Sequence, residues 1–149
     1  MRRNDDGTVL VLVLGYVVLT LVLVLVVAAA THLHLQRVRL AQVADEVALD
    51  AADALDLGRY YSGELPTPDD QRAISLASRE VRAVAQERVQ ESAARARLGA
   101  ARLVDATTTD GFTATVTVST VAYPMFGLES LLPWADGVLL TATASARAY

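Results

Sequence analysis

Hydrophobic positions follow three successive patterns along this chain. In the first, from Gly7 to Gln36, no Asp, Glu, Lys or Arg occurs, and Val9 to Ala30 is an apolar run broken only by Gly15 and Thr20. As a helix that run is about 33 Å long, enough to cross a hydrocarbon core of about 30 Å. A backbone in lipid must satisfy its own hydrogen bonds, so the valine-rich composition does not argue for a strand. The pattern predicts a transmembrane helix over residues 8–31. The competing reading is a cleavable secretory signal: Arg2 and Arg3 form a basic start, and Ala28-Ala29-Ala30 satisfies the small-x-small rule for cleavage after Ala30. The run is longer than the 7–15 residues usual for a signal, which favours an uncleaved anchor. Arg2 and Arg3 nearly balance Arg37 and Arg39 across the span. The short segment 1–7 is easily retained in the cytoplasm, and the acidic stretch after Arg39 raises no barrier to export. The N-terminus is therefore expected inside and the remainder outside.

The second pattern has a period of 3.6. No glycine or proline occurs between Gln36 and Leu57, and alanine and leucine favour helix. At 100° per residue Asp45, Glu46, Asp50, Asp53 and Asp56 fall within an arc of about 140°. Leu40, Val43, Ala44, Val47, Ala48, Ala51, Ala54 and Leu55 take the opposite side, and only Leu49 intrudes among the acids. Residues 32–57 thus predict an amphipathic continuation of the membrane helix, stopped at Gly58. After a loop, a second helix is predicted over about 67–98, with Thr67 as N-cap, Pro68 in the first turn and Gly99 as terminator. Its stripe of Ala77, Val81, Ala85, Val89, Ala93 and Ala96 is small enough to pack closely on the alanine-rich face of the first helix.

Past Gly99 the period becomes 2. Phe112, Ala114, Val116 and Val118 alternate with Thr113, Thr115, Thr117 and Ser119, the mark of a half-buried strand over 112–122. Asp110-Gly111 before it predicts a two-residue hairpin turn and a partner strand over 103–109. A third strand is predicted over 138–148. The chain therefore reads as α+β: a membrane helix with its extension, a second helix, and a small antiparallel sheet of about three strands in a head spanning 58–149. Between the last two strands, Tyr123, Met125, Phe126 and Trp134 belong to a segment rich in large apolar residues. They form the candidate partner surface, with closure over the sheet as the alternative.

Composition sharpens this picture. The chain has 149 residues, 53% hydrophobic but only 5% aromatic, so alanine, valine and leucine must build the core. A net charge of −4 argues against nucleic-acid binding. The absence of cysteine excludes disulfides and thiol chemistry. His32 and His34 lie two residues apart and cannot share a metal from one helix face. No nucleophile elbow, phosphate-binding loop, dinucleotide fingerprint or zinc-protease motif occurs. The residues give no reason to expect an enzyme, a cofactor, a metal or a small-molecule substrate.

The stretch LQRVRLAQVADEVALDAADAL that follows the apolar run resembles the N-terminal signature of the TadE/TadG-like proteins of tight-adherence (Flp) pilus systems. The corresponding residues are Arg39, Gln42, Ala44, Asp45, Ala48 and Leu49. VTVSTVAYP and the terminal TATASARAY resemble the sheet of the same group. The resemblance implies a membrane-anchored, minor-pilin-like or assembly component in a cell envelope, whose partners are membrane lipid and other pilus or secretion subunits. It also makes Gly7 a candidate for prepilin-type processing, although Leu12 stands where the family of processed prepilins carries glutamate. A single-span envelope domain that binds or senses a ligand, or a secreted protein cleaved after Ala30, are the alternatives.

Overall fold

The computed structural model describes residues 5–62, 71–123 and 137–148. Within them lie helix α1 (Asp5–Ser62), helix α2 (Gln71–Arg95) and strands β1 (Ala101–Thr108), β2 (Thr113–Ala122) and β3 (Val138–Arg147). The class is α+β, with one sheet in the order β1-β2-β3, antiparallel throughout.

Helix α1 runs unbroken for 58 residues. It passes through Gly58, which therefore does not stop it. A glycine costs a helix interior only about 1 kcal/mol, and it ends one when it turns left-handed with capping bonds behind it. Such a cap occurs instead at the end of α2, where no glycine stands. Arg97 adopts φ 54°, Leu98 N–H donates to the Ala93 carbonyl (3.0 Å) and Arg97 N–H to that of Ala94 (3.1 Å). That bond pair is the Schellman motif. The helix consequently closes at Arg95, short of the expected 98, and Gly99 is not its terminator. Thr67 and Pro68, the expected start, lie outside the described residues.

The hairpin between β1 and β2 also differs from the two-residue turn expected at Asp110-Gly111. Thr108 pairs with Ala114, so five residues, 109–113, separate the last paired positions, and 109–112 connect the strands. The Asp110 carboxylate organises it, accepting from Phe112 N–H (2.8 Å), Thr113 N–H (2.6 Å) and the Thr113 hydroxyl (2.9 Å). Gly111 supplies φ 68°. Strand β1 accordingly lies at 101–108 and not 103–109, β2 begins at 113, and β3 ends at 147. The β1 register shifts between Leu103 and Asp105, a bulge at Val104.

Both helices cover one face of the sheet, α1 over β2 and β3 and α2 mainly over β1. Leu40, Val43, Val47 and Ala51 of α1 meet Val81, Ala85 and Val89 of α2 and Ala114, Val116 and Val118 of β2 in one core. The expected packed face of 32–57 is the buried one, and Leu49 is 59% exposed. The largest fully buried side chains are Leu40 and a set of valines. The acid face is only partly free: Arg95 pairs with Glu46, and Arg88 with Asp50 (3.6 Å).

Candidate functional site

The candidate site begins with the first half of α1. From Val9 to Val27 all its large apolar side chains except the half-buried Leu25 are exposed, on every side of the helix. The helix is long and apolar enough to cross a membrane by length and composition. Thr20 donates to the Tyr16 carbonyl and Thr31 to that of Val27, both at 2.9 Å, so neither leaves an unmet hydroxyl on that surface. Gly7 and Ala30, the two candidate processing positions, both lie inside this helix and are exposed.

The family-like motif sits on the next turns of α1 and divides by burial. Ala44 and Ala48 are buried beneath the sheet and α2, Arg39 is half-buried, and Gln42, Asp45 and Leu49 are exposed. Two of the six residues therefore build the head, and three lie where another molecule can touch them. Of the candidate partner surface, Tyr123 is 58% exposed at the end of β2. Met125, Phe126 and Trp134 lie outside the described residues.

A convergence that periodicity did not reveal lies at the end of the sheet nearest the apolar helix. The ends of β1, β2 and β3 meet α1 around a cavity of about 510 Å³ lined by Gln36, Arg102, Val121, Tyr123 and Leu139. Gln36 donates to His32 Nε2 (2.9 Å), one turn back on α1. Gly137 closes the corner: with φ +92° it lies so near Val121 that an added Cβ would come within 2.5 Å of its Cγ1, and within 3.3 Å of the Tyr123 ring.

The outer sheet face carries hydroxyls in register, Thr115 against Ser145 and Thr117 against Thr143, each pair 3.0 Å apart. Among the described acids, Asp110 has a pKa moved from its ordinary value. Burial pushes its pKa up, but the donors from Phe112 and Thr113 outweigh this and lower it to about 2. Those bonds serve the turn. Among the described residues no group of three His, Asp or Glu side chains is placed to hold a metal ion. What the arrangement offers is therefore surface: a bare apolar rod, a motif half built into the head, and a cationic and apolar corner between them.

Compared with protein-family models, curated proteins and solved structures, the chain matches none.

Proposed function

We propose that this chain is a membrane-anchored, minor-pilin-like or assembly component of a tight-adherence (Flp) type pilus or a related secretion system. In this reading residues 1–7 are cytoplasmic, 8–31 cross the membrane, 32–57 carry the helix outward, and 58–149 form the exported head. The observation that supports it is the division of α1: its first half is apolar and exposed on all sides, while its second half belongs to the core of an α+β head. Exposed apolar side chains over that length require lipid or other apolar helices as their surroundings. Lipid tails and helix surfaces are equally apolar, so moving the rod from bilayer to a helical bundle carries little hydrophobic penalty. Small residues such as Gly15 permit close approach, and a Cβ there would meet nothing within 4 Å. The action is thus assembly by packing, with lipid and fellow subunits as partners.

The chain has no cysteine, so a single one can be placed at will. Leu23→Cys, carrying a photo-crosslinker, should join the chain to other single-helix subunits in intact cells, and the chain should resist carbonate extraction. Adducts to lipid alone would refute assembly and keep the anchor. Release by carbonate would refute the anchor itself. N-terminal sequencing separates an intact start from Thr8 or Thr31 as the first residue.

A further inference from the structure

The corner around Gln36 occupies a fixed height above the apolar run. Gln36 follows Ala30 by six residues, about 9 Å along the helix, and one headgroup layer is roughly 5–8 Å thick. The end of the sheet is therefore held against the headgroups wherever Val9–Ala30 lies in hydrocarbon. Its chemistry suits that level. Leu139 is 67% exposed and Tyr123 58%, and Val121 and Val138 beside them are exposed as well. Tyrosine with short aliphatics is the composition found at membrane interfaces.

Among the described residues the charges of this end have one sign; Glu129 and Asp136 belong to 124–136, outside them. No acid occurs between Gly7 and Ala44. Arg37 and Arg39 follow Gln36 on α1, Arg97 stands in the turn leading to Gly99, and Arg102 lines the cavity itself. None of these four forms an ion pair among the described residues, as is also true of Arg79 and Arg147 away from the rod, whereas Arg82, Arg88 and Arg95 of α2 face carboxylates. Beyond the apolar run the acids of α1 begin only at Asp45, about 22 Å past Ala30. Cations near the rod and acids away from it match a negative layer at the level of the corner.

We infer that the base of the head docks on the headgroup layer of an anionic phospholipid bilayer, with Tyr123 and Leu139 entering the interface and Arg97 and Arg102 meeting phosphates. The inference rests on the membrane anchor of the preceding reading and not on the pilus. Docking fixes the tilt of the head while the rod is in lipid, and the same contact must break when the rod leaves the bilayer for an assembly.

The full chain, reconstituted in phosphatidylcholine vesicles with or without phosphatidylglycerol, tests this. A fluorophore on Leu139→Cys should be quenched by shallow spin-labelled lipid and shielded from aqueous iodide, more so in the anionic vesicles. A fluorophore on Ser145→Cys, toward the opposite end of β3, should show the reverse. An arginine near an anionic surface changes the docked-to-free ratio about fivefold. Arg97→Asn with Arg102→Gln should therefore lower it about 25-fold in anionic vesicles. A Leu139 label as open to iodide as the Ser145 label, in protein that resists carbonate, overturns the docking. Shielding from iodide without lipid quenching also overturns it, because protein then covers the face. Loss of the protein to carbonate overturns the anchor reading, and the docking with it.

Discussion

Ala48 and Leu49 are neighbours in the motif with opposite fates, and exchanging their sizes separates folding from contact. Ala48 is 1% exposed, enclosed between α1, α2 and the sheet. Ala48→Leu adds three carbons where no space is provided, and such overpacking costs about 1–3 kcal/mol. For a head of this size the loss lowers Tm by roughly 5–20 °C. Leu49 is 59% exposed, so Leu49→Ala removes less than half of the roughly 1.5–3 kcal/mol that full burial of a leucine contributes. The better helix propensity of alanine slightly offsets that loss. Its Tm should move by no more than about 8 °C, while capture of subunits by crosslinking falls if Leu49 is a partner contact. Scanning calorimetry of the full chain in detergent reads the first quantity. An unchanged Tm for Ala48→Leu would refute close packing of α1 under the sheet. A large fall for Leu49→Ala would refute the placement of its side chain outside the core.

Gly137→Ala combines a positive φ with a Cβ 2.5 Å from Val121 and should cost about 2–4 kcal/mol, read as a reduced urea midpoint. Asp110→Asn should cost about 1 kcal/mol near neutral pH, a value discounted for solvent screening at the partly exposed turn. Because the folded pKa of Asp110 lies near 2, below that of the unfolded chain, its contribution is complete above pH ~4 and fades as pH falls toward 2. The native-minus-variant difference in Tm should shrink over that window, and persistence of the full difference at pH 2 would refute the turn's charge-assisted bonding. Replacing Arg88 and Arg95 together by glutamine should cost about 1 kcal/mol or less at low salt and nothing measurable at high salt, because both ion pairs are exposed.

What was legible in the sequence is what repeats locally. The uncharged run stands out by composition alone, while the Leu40–Leu55 stripe and the threonine alternation follow from periods of 3.6 and 2 and place the correct side chains inward. Element ends were less legible because they depend on which backbone bonds close. Gly58 looked like a stop and is helical, while Arg97, with no glycine's freedom, takes the left-handed position because Ala93 and Ala94 carbonyls accept behind it. Asp110-Gly111 looked like a tight turn, but its carboxylate accepts from Phe112 and Thr113 and, at 3.5 Å, from the Thr108 hydroxyl, and the connection is wider. The corner at Gln36 was invisible for a different reason. Its residues are separated by up to about a hundred positions and meet only after β3 pairs with β2, so no local pattern records it.

The head's core also bears on processing. Its first buried member is Leu40, ten residues beyond Ala30. Loss of everything through Gly7, or through Ala30, therefore removes no core side chain and leaves the sheet and both helix contacts in place. Stability of the head gives no reason for Val9–Val27 to be apolar on all sides, since none of those side chains is buried by it. The requirement for that run comes from whatever surrounds it. Continuity of α1 then decides what the surroundings can do: with no glycine or proline between Gly15 and Gly58, the rod enters the core without a hinge. A change in the tilt or height of the rod must reach Leu40 and the sheet above it as a rigid displacement, which is how one apolar helix can position a head whose own core is built mainly of alanine and valine.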